Sequence, residues 1–272
     1  MLVFALNHMT VARASYAQLL DIAGKLGCVG VEIRNDLPQR LFDGLPPAEG
    51  GALAREKGLR LLAVAEVKRF NDWNEGKRAE ALRLMRIAQS AKAEAVSLIP
   101  RNDSGGMGNG ERQANLRLAL RNLKPMLDDH ELVGLVEPLG FDSCALRYKS
   151  EAVDAIEALD AANTFRLVHD TFHHHLAHGG PIYPEHTGIV HISGVVDPAL
   201  SIPEMADGHR KLVDAEDRLG NIKQIRALQR AGYTGPVSFE AFAQEVHACA
   251  DPVASLRKSI EFIRSGLAAA AA

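Results

Sequence analysis

Four ionisable residues close four consecutive apolar segments in the second half of the chain; they are Glu137, Asp170, His191 and Glu240. Ionised groups at the ends of buried strands cost desolvation free energy unless a positive charge compensates them. A divalent cation would supply that charge, and three carboxylates with one imidazole suit manganese, cobalt, zinc or magnesium. The alternative is that each acid pairs with a lysine or arginine at the rim of the fold. Because clustered ionisable groups mark functional sites, the pattern favours a metal site.

The segment LVHDTFHHH places four histidines beside one aspartate. Asp170 ends a strand and would face the site, and His173, three residues later, can curl back over it. His169 alternates with Asp170 along the strand, so it should point to the opposite face as a packed, neutral histidine. We expect His174 and His175 to be loop or helix residues without a metal role.

The elements that must position these residues alternate along the chain. Short apolar runs rich in β-branched residues alternate with longer segments in which apolar residues recur every three or four positions. Eight such units close a parallel sheet, so the sequence predicts an α/β fold, a single-domain (β/α)8 TIM barrel over 1–267 with an alanine-rich, frayed tail over 268–272. A doubly wound open sheet is the alternative. The predicted strands span 2–6, 29–34, 59–66, 94–100, 132–137, 165–170, 188–193 and 236–240.

Several helix ends can be read directly from the residues. Ser15 begins a capping box, and Gly27 can stop the same helix. Pro46 and Pro47 interrupt the segment after the second strand, so we expect a poorly formed helix there, and another after the sixth strand. The remaining predicted helices include 76–91, 111–128, 149–160 and 221–231.

Composition excludes several classes of protein. Of the 272 residues, 47% are hydrophobic and 24% are charged, which is typical of a globular chain with ample core. A net charge of -3 without a basic run disfavours nucleic acid as a partner. The three cysteines lie far apart, so neither a disulfide framework nor a thiolate zinc site is indicated. Because no basic leader and no long apolar run is present, we expect no membrane insertion and a cytoplasmic location.

Three further features have both a structural and a functional interpretation. The glycine-rich loop 101–111 lacks the Lys-Ser/Thr of a P-loop, so it is a flexible connection or a mobile lid. Phe70 and Trp73 could form an apolar wall for a ring-shaped substrate or pack in the core. Glu32 and Arg34 lie on one strand face and could pair with each other.

Four segments, VEPLG, HDTFHH, VHISG and VSFEAF, resemble the metal-bearing strands of the xylose-isomerase-like TIM barrels. That superfamily includes sugar isomerases, epimerases and the abasic-site endonuclease, and the resemblance covers nearly the whole chain. Four other segments resemble the inosose (2-keto-myo-inositol) isomerases in particular; they are FALNHMT, VGVEIRNDLP, RFNDWNE and ADGHRKLVDAEDRLGNI.

The resemblance implies roles for individual residues. The four strand-end residues would bind one divalent metal ion, and Glu137 and Glu240 would also act as acid and base, in either order. His173 would hydrogen-bond a substrate oxygen, and Arg210 would contact substrate, although relatives often carry a glycine-containing turn where this chain reads DAEDRLGN. The predicted substrate-binding residues are Arg210, His173, Trp73, Asn7 and Arg34.

The resemblance implies a metal-dependent isomerase that interconverts inososes, 2-keto-myo-inositol and a neighbouring keto-inositol, through an enediolate. The expected partner is a cyclic polyol ketone or sugar, and self-association through helical faces stays open. One alternative is a ketose 3-epimerase or another sugar isomerase. A phosphodiester hydrolase like the endonuclease is disfavoured, because the third and fourth strands end in VAEVK and LIPRN without the histidines of its metal cluster. The last alternative is a non-catalytic barrel that binds a polyol or a protein.

Overall fold

Eight parallel strands form a closed barrel in the computed structural model, which describes residues 2–103 and 107–269. The strands follow one another around the barrel in chain order, and β8 pairs with β1 to close it. All eight predicted strands and the TIM barrel are therefore confirmed. The strands are β1 Phe4–Asn7, β2 Gly30–Arg34, β3 Arg60–Lys68, β4 Ala95–Ile99, β5 Val133–Val136, β6 Phe165–Asp170, β7 Thr187–Ile192 and β8 Val237–Phe239.

Helices connect the strands and cover the outside of the barrel. Ser15 caps α1 in a capping box, and Gly27 ends that helix in the left-handed conformation with φ 68°, as predicted. The helices are α1 Tyr16–Leu26, α2 Pro47–Glu56, α3 Glu75–Ala91, α4 Asn109–Asp129, α5 Lys149–Glu157, α6 Thr171–Leu176, α7 Asn221–Arg230, α8 Gln244–His247 and α9 Pro252–Ala269.

The segment after β2 corrects one prediction. It holds a regular ten-residue helix, α2, rather than a poorly formed one, and Pro47 is its first residue. A proline is tolerated there because the first amide of a helix has no partner within the helix and the fixed φ already suits it. The prediction for the segment after β6 is confirmed, since α6 has only six residues.

The inside of the barrel has two layers along the strand direction. The lower layer is a small apolar cluster, separate from the main core between strands and helices. Since side chains alternate along a strand, the residue two positions later lies on the same face. Ala5 is thus followed by Asn7, Leu135 by Glu137, Val168 by Asp170 and Ile189 by His191. The polar residues form an upper layer, at the carboxyl ends of the strands.

Helix α9 continues to Ala269, past the predicted domain boundary at residue 267, and residues 270–272 of the predicted frayed tail lie outside the described residues. Among the described residues, no helix has the length and apolar character needed to cross a membrane.

Candidate metal centre

Four side chains from four consecutive strands converge in the upper layer. Glu137 follows β5, Asp170 ends β6, His191 lies in β7 and Glu240 follows β8. All four are buried, and one ligand atom from each lies within 4.8 Å of the others. His191 Nδ1 is 3.2 Å from Glu240 Oε2, 3.7 Å from Glu137 Oε1 and 4.0 Å from Asp170 Oδ2. The residues predicted as ligands are therefore brought together.

A carboxylate on the far side of the barrel orients the imidazole. His191 Nε2 lies 3.0 Å from Glu32 Oε2, and Ser238 Oγ donates to Glu32 Oε1 at 2.6 Å. Nδ1 of the same ring is buried without a hydrogen-bond partner and faces three carboxylates. A proton on Nε2 leaves the Nδ1 lone pair free, as a metal-ligating histidine requires. The donor set and this unpaired atom fit a divalent cation.

Glu32 and Arg34 could have paired with each other, but in the structure they do not. Glu32 contacts His191 and Ser238. Arg34 donates to the half-buried Asp36 and also to two buried glutamates. The two side chains share a face, but Glu32 contacts strands on the other side of the barrel and Arg34 contacts Asp36 and glutamates from β3 and from the end of β8. The Arg34 partners beyond Asp36 are Glu66, at 3.1 Å, and Glu240, at 2.9 Å.

Three donors hold the carboxylate of Glu240. Asn7 Nδ2 and Arg34 Nη1 donate to Oε1 at 3.2 Å and 2.9 Å, and Arg210 Nη2 donates to Oε2 at 2.9 Å. Burial opposes ionisation, but His191, Arg210 and Arg34 hold the pKa of Glu240 well below its usual value. Glu240 is therefore fixed as a carboxylate.

The pKa values of the neighbouring Glu137 and His191 are raised, in contrast to that of Glu240. Burial, followed by the charge of Glu240, raises the pKa of Glu137. For His191, burial lowers the pKa, yet the carboxylates of Glu240 and Glu32 outweigh it and raise the pKa well above its ordinary value. The carboxylates of Glu240 and Glu32 thus favour a positive charge at the position of the His191 ring, although Arg34 and Arg210 already pair with part of the cluster.

Asp170 links the centre to the helix that follows β6. Its Oδ1 accepts the amides of Phe172 and His173 at 2.7 Å and 3.1 Å and so caps α6. Its Oδ2 accepts Arg210 Nη2 at 2.6 Å. The Arg210 guanidinium lies 5.0 Å and 4.5 Å from the ring centroids of Phe172 and Phe242, which fixes it between two aromatic faces.

A cavity of about 360 Å³ opens above the centre, and we call it the mouth cavity. Three of the predicted substrate-binding residues line it: His173, Arg34 and Arg210. Its wall consists of Arg34, Asp36, Glu66, Lys68, Arg69, Ile99, Pro100, Asn102, Asp103, Glu137, Leu139, Phe141, His173, Asp207, Arg210, Glu240 and Phe242.

The other two predicted substrate-binding residues lie elsewhere. Asn7 is buried beneath the cavity, with Nδ2 on Glu240 and Oδ1 accepting the amide of Met9. Trp73 is half-buried and packs against the main core, and Phe70 is part of that core. Neither Asn7 nor Trp73 is among the described residues that line the mouth cavity. Both of the aromatic residues therefore serve packing.

The four histidines around Asp170 have separate environments. His173 is 4% exposed, with Nε2 3.9 Å from Glu137 Oε1. His169 faces away, contacts Gln224 at 2.9 Å and has a pKa lowered well below its ordinary value by burial, so the predicted packed, neutral histidine is confirmed. His174 and His175 lie in α6 and belong to no candidate metal cluster of the described residues.

Glu66, the last residue of the predicted strand 59–66, is a further candidate that the sequence pattern alone did not single out. Glu66 is 7% exposed, lines the mouth cavity and accepts Arg34 Nη2. Burial raises its pKa to about 7. Its position near the carboxyl end of β3 was the signal that could have identified it.

The glycine-rich loop borders the same cavity. Asn102 and Asp103 line the cavity, and Asp103 pairs with Arg69 at 2.7 Å and with Arg101 at 2.6 Å. Residues 104–106 lie outside the described residues, so the two interpretations of the loop, a flexible connection or a mobile lid, both stay predictions.

Known proteins share this architecture. A family model described as "Xylose isomerase-like TIM barrel" matches residues 20–266. No curated protein matches the sequence.

Among solved structures, a xylose isomerase domain containing protein from Salmonella typhimurium LT2 is 28% identical over 97% of this chain and 96% of that chain, with a TM-score of 0.86. The IolI protein, solved with a zinc atom, is 17% identical over 98% of both chains, with a TM-score of 0.87. D-allulose 3-epimerase from Methylomonas sp., solved with D-allulose, is 16% identical over 97% of this chain and 96% of that chain, with a TM-score of 0.69. The last two show a likeness of fold.

Proposed function

The chain belongs to the xylose isomerase-like TIM barrel family, and from that premise we propose that it is a metal-dependent isomerase that interconverts inososes. The proposed reaction moves the ketone of 2-keto-myo-inositol to a neighbouring carbon through an enediolate. The observation that carries the proposal is the buried cluster of three carboxylates and one imidazole within 4.8 Å at the floor of the mouth cavity. Such a set suits manganese, cobalt, zinc or magnesium.

The charge of the cavity wall supports an uncharged substrate. Six carboxylates and four cationic side chains line the mouth cavity, so a bound divalent cation brings the wall close to neutrality. An anionic substrate would gain little from such a wall, whereas the many donors and acceptors suit a ligand rich in hydroxyl groups. A cyclic polyol ketone has that character, and so does a free ketose.

The chain's own residues divide proton transfer and positioning between them. A divalent ion bound at the centre supplies Lewis-acid polarisation of the ketone oxygen. Both carboxylate oxygens of Glu240 accept hydrogen bonds. Glu137 Oε1, by contrast, lies 3.7 Å from His191 Nδ1 and 3.9 Å from His173 Nε2, which is beyond hydrogen-bond distance. Glu137 is thus freer to take the proton from one carbon and return it to the neighbouring carbon, while the proton of the reacting hydroxyl passes to the former ketone oxygen. Glu240, held as a carboxylate, positions the centre. His173, Arg34 and Arg210 orient hydroxyl groups from the wall.

The first experiment measures metal content by elemental mass spectrometry in the wild type, Asp170→Asn and His191→Ala. We expect about one equivalent of a divalent transition metal in the wild type and loss in both variants. Circular dichroism controls for folding. No metal in the wild type, with none taken up from added manganese, cobalt or zinc, would refute the metal site.

The second experiment assays the loaded protein against a panel of inososes and free ketoses. Turnover of 2-keto-myo-inositol with no ketose epimerised supports the proposal. The ketose 3-epimerase alternative draws on the likeness in fold to D-allulose 3-epimerase and on the same near-neutral cavity. Epimerisation of a ketose at carbon 3, with inososes unchanged, would replace the first proposal with the second.

A further inference from the structure

A second cavity shares part of its wall with the mouth cavity. We call it the α5 cavity, since Lys149 and Ser150 at the start of α5 line it, and its volume is about 250 Å³. His173 lines both cavities, and Asp170 lines the second. The α5 cavity is thus a separate space adjacent to the metal centre.

The wall of the α5 cavity has more basic than acidic side chains, in contrast to that of the mouth cavity. Lys149 and Arg147 contribute charged groups, and His174 and His178 add imidazoles. Arg147 also pairs through Nη1 with the exposed Asp142, which lies outside this wall, and donates through Nη2 to the carbonyl of Leu176. Of the described residues that line it, Asp170 alone carries a carboxylate. Both oxygens of Asp170 are already engaged, one by the amides of α6 and the other by Arg210 outside this cavity's wall.

Lys149 has no carboxylate partner. Its Nζ donates to His174 Nδ1 at 2.6 Å, and no carboxylate oxygen of the described residues lies within 4.0 Å of it. Burial lowers the pKa of Lys149 to about 7 against the opposing charge of Asp170, and burial lowers the pKa of His174 to about 4. The pair therefore lacks the negative charge that would stabilise its protonated form.

Further donors lie at the same wall. Lys149 and Ser150 are the first two residues of the nine-residue helix α5, and amides in the first turn of a helix have no partner within it. His173, 4% exposed, has an unpartnered Nδ1, which is independent of the helix terminus. Arg147 Nε is likewise buried without a partner.

We propose that the α5 cavity binds a small oxyanion, a phosphate or carboxylate group. Lys149 and Arg147 supply charge-assisted hydrogen bonds, and the first turn of α5 supplies amides and a favourable dipole. The oxyanion can be a free ion or the anionic group of a larger ligand. The site does not depend on the proposed isomerase activity.

The test titrates inorganic phosphate into the full-length protein by isothermal calorimetry, both metal-loaded and after chelation. We expect Lys149→Met to weaken binding by at least about tenfold in both forms. Lys149→Arg, which keeps the charge, should restore most of the affinity. The matched control is Lys68→Met, which removes a lysine from the wall of the mouth cavity and should change affinity by less than about twofold.

Two outcomes overturn the proposal. One is no phosphate binding by the folded wild type; the other is binding that Lys68→Met weakens and Lys149→Met does not, which places the anion in the mouth cavity. A parallel titration with D-fructose 6-phosphate distinguishes a free oxyanion from the anionic group of a larger ligand. Tighter binding than inorganic phosphate, lost in Lys149→Met, indicates the anionic end of a larger ligand, and equal binding indicates a free oxyanion.

Discussion

The two layers inside the barrel differ in chemistry although the same strands supply both. The lower layer contains Ala5, Leu135, Val168 and Ile189, and the upper layer contains Asn7, Glu137, Asp170 and His191. A step of two residues along each strand separates apolar packing from ionisable groups. Apolar packing residues and ionisable site residues thus occupy different levels along the strand direction. A substitution in the apolar layer should therefore change stability more than metal binding, and a substitution in the ionisable layer should do the reverse.

The largest effect is expected in the upper layer, on turnover. Glu240→Gln should lower turnover of 2-keto-myo-inositol by about 1000-fold or more, because the proposed metal ligand loses its negative charge, while circular dichroism stays that of the wild type. Steady-state kinetics with elemental analysis measures this. Glu245→Gln, which changes an exposed glutamate paired with Lys211, is the control. Near-wild-type turnover with metal still bound would refute the role of Glu240.

A substitution in the lower layer should affect stability and spare the metal. Ile189→Ala should lower the free energy of unfolding by about 3 kcal/mol, through lost burial and the cavity left behind. Urea denaturation measures it, and Leu118→Ala, at a residue 45% exposed, should change stability by less than about 0.5 kcal/mol. If the folded Ile189→Ala protein lost its metal, the two layers would not be independent.

A substitution at Glu32 tests whether its contact with His191 orients the imidazole. Glu32→Gln should weaken metal binding by about 10- to 100-fold, since the amide orients the imidazole less well than the carboxylate. Titration of the chelated protein with zinc gives the affinity. Glu185→Gln removes an exposed carboxylate beside another histidine, His186, and should have no effect. Unchanged affinity in Glu32→Gln would show that the Glu32 carboxylate does not tune the centre.

The smallest effect is expected outside both layers. Ser15→Ala removes the hydroxyl that accepts the amide of Gln18 at the start of α1, and should cost about 1 kcal/mol of stability. Metal content should not change. Ser90→Ala, at an exposed position within α3, is the control and should not destabilise the protein. A loss of metal in Ser15→Ala would show that the cap of α1 affects the metal centre.

Local sequence patterns predicted the strands well, because buried parallel strands are short, apolar and β-branched whatever they pack against. The prediction failed at Pro47, where the residue type suggested a break and its position at the first turn of α2 made it compatible with a helix. The propensity of a residue therefore has to be weighed against its position in the element.

The partners of the site residues were harder to predict than their positions. Alternation along β2 placed Glu32 and Arg34 on one face, but their contacts with His191 and Glu240 come from strands that only barrel closure brings near. Asn7 shows the same effect, since its partner, Glu240, is 233 residues away in sequence. The α5 cavity was not predicted at all, because Lys149 and His174 come from different βα units.

The capping role of Asp170 has a consequence for local motion. One oxygen of this side chain accepts the amides of Phe172 and His173, and the other accepts Arg210 and lies 4.0 Å from His191 Nδ1. A helix of six residues has little stability of its own, so its first turn depends on that cap. Hydrogen–deuterium exchange at these two amides should therefore slow when a metal ion fixes the carboxylate, which makes α6 a built-in reporter of whether the centre is loaded.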